Sequence, residues 1–168
     1  MRAKNRRVPK QPFKHIERRL AGKSRPTTDA ATSARMSRIR QKGTAPELAV
    51  RRAVATLGLR YTINNKDLPG SPDLANRSRR WAIFVHGCYW HRHEGCYMAT
   101  TPRTNTEFWL NKFSRNVARD NDARTTLRRA GYRVLTFWQC ELGDLDAGRL
   151  KKLARLRAAR PTPPGPTP

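Results

Sequence analysis

Residues 81–96 read WAIFVHGCYWHRHEGC. Its first five residues are a continuous apolar run bounded by charge, which predicts a buried β-strand. The residues that follow, 86–96, hold three of the four histidines and two of the three cysteines of the chain. Thiolate and imidazole are the ligands that zinc prefers, so the sequence predicts a metal site immediately after a core strand. The stretch holds more ligands than one ion needs, which leaves a histidine free for chemistry.

Patterns on both sides of this stretch predict a small α/β fold. Residues 44–47 (TAPE) are typical of a helix start, and apolar residues then recur at helical spacing up to Gly58. The other predicted elements are a short helix at 32–41, strands at 59–63, 73–75 and 132–138, a turn at 68–72, and helices at 106–130 and 145–158. We therefore expect a small mixed central sheet flanked by helices.

The charge of the chain predicts a polyanionic partner. Lys and Arg total 36 against 12 Asp and Glu, which gives a net charge of +24. Arginine, the commoner of the two, presents a flat fork of donors that suits phosphate. Nucleic acid is the expected partner. An anionic membrane is the alternative, but no long apolar run or amphipathic apolar stripe supports it, so we predict no membrane association.

The cysteine count and the two ends of the chain predict one domain with tails. Three cysteines argue against a disulfide framework and favour metal-bound thiolates in a cytoplasm, and the basic N-terminal stretch does not resemble a secretory signal. Residues 1–30 hold ten basic and two acidic residues, which predicts a disordered basic arm. Residues 159–168 are predicted to be a Pro-rich disordered tail, so the folded unit is placed at 31–158. No dimer-forming element is evident, and we expect a monomer.

A carboxylate and a histidine are predicted to meet at one edge of the sheet. Asp73 stands at the start of a short strand, and the buried strand ends twelve residues later at His86. Hydrolysis of a phosphodiester needs a divalent metal on oxygen ligands, a positioned water and a group that moves protons. Asp73 and strand-end carbonyls can supply the oxygens, and His86 or His91 can take the proton. Glu47 on the first long helix is a possible third member.

Five motifs in this order resemble the very short patch repair (Vsr) endonuclease family. They are 68–73 (LPGSPD), 83–91 (IFVHGCYWH), 103–110 (RTNTEFWL), 131–135 (GYRVL) and 138–140 (WQC), and the match covers roughly residues 29–145. The resemblance implies a restriction-endonuclease-like fold with a structural zinc. It also implies a bacterial, Mg²⁺-dependent endonuclease that nicks double-stranded DNA at the T·G mismatches left by deamination of 5-methylcytosine.

The resemblance also implies a role for individual residues. Asp73 is implied to bind magnesium together with the backbone carbonyl of Val85, and Glu47 to complete the site. The implied catalytic histidines are His86 and His91. The implied zinc ligands are Cys88, His93, Cys96 and Cys140, and the residues implied to wedge into the base stack are Tyr89, Trp90 and Trp109.

Other interpretations of the same residues stay open at this point. The three aromatic residues could instead be part of the core, and the arginines at 77, 79 and 80 form either a solvated hairpin tip or a phosphate contact. The chain could be a zinc-stabilised DNA-binding module without catalysis, although such a module has no need of an acid at Asp73. It could also be a related nuclease of restriction or phage origin, which would share every catalytic residue.

Overall fold

A computed structural model describes residue 34 and residues 42–143 and 147–156. The predicted basic arm at 1–30 and the Pro-rich tail at 159–168 lie outside the described residues. The same holds for the short helix predicted at 32–41, apart from Ala34, which is helical.

The described residues form a mixed α/β unit, as the sequence predicts. The sheet has three strands in the order β1-β2-β3, with β1 antiparallel and β3 parallel to the central β2. In chain order the elements are α1 (Ala45–Thr56), β1 (Leu74–Asn76), β2 (Trp81–His86), α2 (Cys88–His91), α3 (Thr106–Arg129), β3 (Arg133–Trp138), a 3₁₀ turn (Gln139–Glu141) and α4 (Ala147–Ala154). None of these helices combines the length and apolar character needed to span a membrane.

The start of α1 is fixed by a reciprocal cap, as the TAPE motif predicts. The Thr44 hydroxyl accepts a hydrogen bond of 3.4 Å from the Glu47 backbone N–H and donates one of 2.9 Å to the Glu47 carboxylate. Pro46 lies in the first turn, where it costs no helical hydrogen bond. Val50 and Val54 are fully buried and attach this helix to the sheet.

The two faces of the sheet bury different partners. Trp81 and Ile83 of β2 pack with α1 and with Leu153 of α4, whereas Ala82 and Phe84 pack with α3. Because side chains alternate along a strand, His86 at the end of β2 lies on the α3 face. Residues that reach the end of β2 from α1 and from α3 therefore approach it from opposite sides.

The turn at 68–72 brings Asp73 to the C-terminal end of β2. Leu74 pairs with Ile83, so Asp73 lies beside the last residues of that strand. Gly70 in this turn has a φ of +73°, and a Cβ there would lie 2.5 Å from the Ala123 Cβ of α3. Only glycine fits both the backbone conformation and this close approach.

The prediction of a strand at 59–63 is wrong, because the structure has no strand there. Only Thr62 pairs, in an isolated bridge to Ala75. The buried Asn65 side chain organises the segment instead, since its amide donates to the Thr62 and Pro72 carbonyls at 3.0 Å each. The exposed Ile63 and the left-handed Asn64 that follows it (φ 56°) then end the extended conformation.

Candidate functional site

Asp73 is joined directly to the end of β2. Its Oδ2 atom accepts a 2.7 Å hydrogen bond from the Val85 backbone N–H. The N–H and C=O of one strand residue point to the same side, so the Val85 carbonyl also faces the Asp73 side of β2. Burial raises the pKa of Asp73 to about 6, the hydrogen bond from Val85 opposes that shift, and the negative charge of Glu47 adds to it. A bound cation would relieve this crowding of negative charge.

Glu47 reaches this end of the sheet from the α1 face. It is buried, with 7% of its surface exposed, and its carboxylate accepts hydrogen bonds from the Gly43 N–H at 2.9 Å and from Arg51 at 3.2 Å. Since it also closes the cap of α1, Glu47 is held in one place, and its charge acts on Asp73. The structure thus brings together the two acids that the sequence singled out.

The two predicted catalytic histidines lie against each other on the α3 face. The rings of His86 and His91 are stacked, with centroids 4.0 Å apart and an interplanar angle of 11°. The Nδ1 atom of His91 is hydrogen-bonded to the Asp120 carboxylate of α3. Burial favours the neutral form of Asp120, but the hydrogen bond and the electrostatic interaction with His91 outweigh burial and hold its pKa below the usual value.

The environments of the two histidines differ. His86 is 5% exposed, and burial together with the nearby His91 lowers its pKa to about 3. It is therefore neutral at physiological pH. His91 is oriented by an ionised carboxylate, an arrangement typical of a general base. The ligand atoms of His86, His91 and Asp120 also lie within 4.8 Å of one another, but the two imidazole rings are nearly parallel, so their in-plane lone pairs do not point at one common position.

Asp120 is a candidate functional residue that the sequence reasoning missed. It lies seven residues after Phe113 and three after Val117, on the face of α3 that the sequence pattern identified as apolar. An acid on the apolar face of a helix is a signal of a buried polar partner, and here that partner is His91. The pattern could have identified the acid but not the histidine that it contacts.

A cleft of about 310 Å³ opens beside these residues. Trp138 at the end of β3 lies between the histidine pair and the group of cysteines that contains His93. The indole meets the His86 ring edge-on at 5.2 Å and stacks on the His93 ring at 4.3 Å. The cleft is lined by His86, His91, Arg92, His93, Glu94, Val117, Asp120, Asn121, Arg124 and Trp138.

The four predicted zinc ligands converge in the structure. One ligand atom of each lies within 4.8 Å of the others, in a group made of Cys88, His93, Cys96 and Cys140. His93 Nδ1 is 3.7 Å from the Cys88 sulfur and 3.2 Å from the Cys140 sulfur. Burial and the neighbouring thiols raise the pKa of Cys140 to about 12. Three thiols and one imidazole this close together fit a tetrahedral metal site, because a cation stabilises the thiolates.

Local geometry explains how ligands far apart in sequence meet. Gly87 separates β2 from the single turn of α2, which starts at Cys88, and Arg92 ends that turn in the left-handed conformation, with a φ of 54°. The His93 N–H then bonds the Cys88 carbonyl at 3.1 Å, which folds His93 back over the turn. Cys140 arrives with the end of β3, which is paired to β2.

The three predicted wedge residues form one aromatic cluster between α2 and α3. Tyr89 lies 4.9 Å from Trp90 and 6.2 Å from Trp109, measured between ring centroids. All three are half-buried, and the ammonium of Lys112 lies 5.0 Å from the Trp90 ring and 5.2 Å from the Trp109 ring. The Asn116 amide donates to the Trp90 carbonyl at 3.1 Å, which attaches α2 to α3. The cluster is thus supported by packing yet keeps aromatic surface in solvent.

Comparisons with known proteins agree with the motif pattern. The family model described as DNA mismatch endonuclease Vsr matches residues 26–98. The type II nicking enzyme V.XorIIP of Xanthomonas oryzae pv. oryzae is 45% identical over 67% of this chain and 82% of its own length. The type II nicking enzyme V.NmeAIP of Neisseria meningitidis is 36% identical over 76% of this chain and 95% of its own. The DNA mismatch endonuclease Vsr of Escherichia coli is 40% identical over 67% of this chain and 72% of its own.

Proposed function

Since this chain belongs to the Vsr family of DNA endonucleases, we propose that it nicks double-stranded DNA next to the T of a T·G mismatch. Such mismatches arise by deamination of 5-methylcytosine, so the proposed role is very short patch repair in a bacterial cytoplasm. The observation that carries the proposal is the meeting of Asp73, His86, His91 and Asp120 at one end of the sheet, beside a partly exposed aromatic cluster.

The acidic edge fits a hard divalent cation. Asp73 offers a carboxylate whose ionisation is opposed by burial and by Glu47, and the Val85 carbonyl faces the same side. Carboxylate and carbonyl oxygens are the ligands that Mg²⁺ prefers. We propose that Asp73 and Val85 hold Mg²⁺ while Glu47 completes the site. When bound, the ion would neutralise charge on the reacting phosphate.

The histidine pair supplies the proton transfer in this proposal. With its proton on Nδ1, His91 donates to Asp120 and leaves Nε2 as the acceptor for the proton of the attacking water. His86 stays neutral in its buried position and can hydrogen-bond a phosphate oxygen or the water without repelling a cation. Asp120 acts by fixing the tautomer and orientation of His91.

The remaining parts of the proposal are structural. We propose that Cys88, His93, Cys96 and Cys140 hold one Zn²⁺ that joins the end of β3 to the segment after β2. We propose that the fold is restriction-endonuclease-like. The support is a mixed sheet in which Asp73, the proposed magnesium ligand, lies beside the central strand β2. Tyr89, Trp90 and Trp109 are proposed to insert beside the mismatch, where stacking on displaced bases is worth roughly 1–3 kcal/mol per base.

A second candidate function is a restriction-type nicking nuclease without mismatch preference. It is favoured by two of the relatives, which are named as type II nicking enzymes. The catalytic residues would be the same, so the site cannot separate the two candidates. Substrate choice separates them, because only the repair enzyme requires the T·G pair.

The test is single-turnover nicking of a T·G duplex and of the matched C·G duplex, each with and without Mg²⁺. The repair proposal expects a nick beside the T in the mismatched duplex only, and only with the metal. Equal cleavage of the two duplexes would reject repair and favour the restriction-type candidate. DNA binding without any cleavage in Mg²⁺ would instead favour a non-catalytic binding module.

A further inference from the structure

A second basic surface lies at the opposite end of the sheet from the candidate site. We define the hairpin-end surface by six arginines: Arg60, Arg79, Arg80, Arg129, Arg133 and Arg155. Five of them are exposed, and Arg80 is half-buried. They come from four separate parts of the chain, so no single charged segment explains their grouping.

A chain of contacts joins these arginines into one surface. The Asn76 side chain donates to the Arg60 carbonyl at 2.7 Å and accepts from the Arg79 N–H at 2.8 Å. Around Asn76, Arg60 and Arg79 line a cleft of about 360 Å³. Arg80 donates to the Ala130 carbonyl at 2.9 Å, which places its guanidinium beside the end of α3 and Arg129.

The contacts continue across β3 to the end of α4. The Arg133 N–H bonds the Arg80 carbonyl at 2.8 Å, and the Arg133 guanidinium bonds the Arg155 carbonyl at 3.0 Å. The surface therefore runs from the loop after α1, over the β1–β2 hairpin, to the last described residues.

Structural roles account for only part of this charge. Arg80 and Arg133 hold backbone carbonyls, and the neighbouring Arg77 is neutralised by Asp67 at 2.6 Å. In the part of the chain that the structure describes, the side chains of Arg60, Arg129 and Arg155 make no ion pair. A concentration of unneutralised guanidinium groups opposes folding unless an anion is bound there.

The position of the surface separates it from the nicking site. β2 extends from Trp81 at the hairpin end to His86 at the site, which is about 16 Å along a strand. On α3, Arg129 lies about 14 Å beyond Asp120. Duplex DNA is stiff, with a persistence length of about 150 base pairs, so a duplex seated at the site does not readily curl round to this end.

We propose that the hairpin-end surface binds the phosphate backbone of a second DNA duplex, so that one molecule bridges two DNA segments. Guanidinium groups match phosphate geometry, and contacts to the backbone carry no base information. An acidic protein is the less favoured partner, because protein interfaces are centred on apolar and aromatic side chains. Among the described residues, the exposed Leu48, Tyr97 and Phe108 belong to other segments, and Ile63 is the single large exposed apolar residue in the loop that carries Arg60. Bridging would keep a nicking enzyme close to further DNA, and it does not depend on mismatch preference.

The test compares the full chain with two triple variants that lose the same charge. The surface variant is Arg60→Gln, Arg129→Gln and Arg155→Gln, which leaves out the arginines that hold carbonyls. The control is Lys42→Gln, Arg52→Gln and Lys152→Gln, three exposed positions outside the surface. All three proteins keep residues 1–30, so the basic arm contributes equally to each.

Bridging is measured as capture of a fluorescent, fully paired duplex by protein bound to a second, bead-linked duplex at fixed salt. The surface variant should capture at least fivefold less than the parent, and the control should stay within twofold. Nicking of the T·G duplex by the surface variant should stay within twofold of the parent, which separates this inference from the proposed function.

Four outcomes would overturn the proposal. The parent could fail to bridge two duplexes, or the control variant could lose as much capture as the surface variant. The surface variant could also capture as much duplex as the parent, or its nicking could fall as far as its capture. The last outcome would mean that the surface contacts the same duplex as the site. Retention of polyglutamate by the parent without any bridging would assign the surface to an acidic protein.

Discussion

His91 and Asp120 lie 29 residues apart in sequence, and a hydrogen bond joins the Nδ1 atom of His91 to the Oδ2 atom of Asp120. This contact fixes the ring that stacks on His86 and leaves its other nitrogen available at the cleft. The two histidines therefore lie in different environments, because His91 is held by a carboxylate whereas burial lowers the pKa of His86.

Replacing Asp120 by Asn should therefore slow nicking without weakening DNA binding. The amide keeps the size of the side chain but loses the charge that holds His91, and a positioned general base contributes about 10²–10⁴-fold. We expect a loss of about 10²-fold in the single-turnover rate for Asp120→Asn and a larger one for His91→Ala. Asp122→Asn, on an exposed position of the same helix, is the matched control and should nick at the parent rate. Equal rates for the two Asn variants would remove Asp120 from the mechanism.

The raised pKa of Asp73 predicts a pH dependence that magnesium reverses. The pKa rises from 3.8 in the unfolded chain to about 6 in the folded one, so the folded state holds the proton more tightly. The contribution of Asp73 to the unfolding free energy is fully present below pH 3.8, where the carboxyl is protonated in both states. This contribution is lost as the pH rises through 6. A shift of this size corresponds to about 3 kcal/mol at most.

The measurement is the unfolding free energy between pH 4 and 8, with and without Mg²⁺. Without the metal, Asp73→Asn should be more stable than the parent at pH 7, and the difference should shrink towards pH 4. Mg²⁺ at pH 7 should stabilise the parent but not the variant, which should also have lost nicking. A variant that is less stable than the parent at pH 7 without metal would contradict this account of the site.

The chain should hold one zinc ion, and removing it should unfold the protein. Four ligands that lie within 4.8 Å join the segment after β2 to the end of β3, so the binding free energy of the ion is folding free energy. We expect His93→Ala to lose zinc and to unfold at a lower temperature. His86→Ala is the control, since it removes an imidazole that is not a proposed ligand and should retain the ion. Folded parent protein without zinc in metal analysis would refute the prediction.

The sequence predicts those parts of the fold that depend on local chemistry. The cap at Thr44, the apolar run of β2 and the long amphipathic α3 all appear within a few residues of their predicted bounds. The group of three cysteines and His93 was also recognisable as a candidate metal site, because the chain has no other cysteine and only three other histidines. These features need no knowledge of what lies across the fold.

The features that the sequence does not predict depend on contacts between distant segments. The predicted strand at 59–63 gave way to a loop because the Asn65 amide bonds the Pro72 carbonyl, and neither residue signals that contact in the sequence. Asp120 stood on an apolar face without a visible partner, because the position of His91 follows from the turn of α2 and its attachment to α3. The parallel pairing of β3 with β2 is likewise set by the path of α3 between them.

Mismatch choice should depend on the aromatic cluster, and Trp90→Ala tests this dependence. A T·G pair is easier to pry open than a Watson–Crick pair, and an inserted aromatic side chain recovers stacking with the displaced bases. We expect the variant to lose about 10-fold or more in nicking of the T·G duplex, in line with roughly 1–3 kcal/mol per stacked base, while its binding to a fully paired duplex changes less than twofold.

Tyr97→Ala is the control, because Tyr97 is an aromatic residue that is 84% exposed in the loop after α2. This variant should leave both quantities unchanged. Because Trp90 also packs on Tyr89 and Trp109, the thermal stability of each variant is measured alongside. Parallel losses of nicking and of general DNA binding would show that the cluster supports the fold of the site and does not select the mismatch.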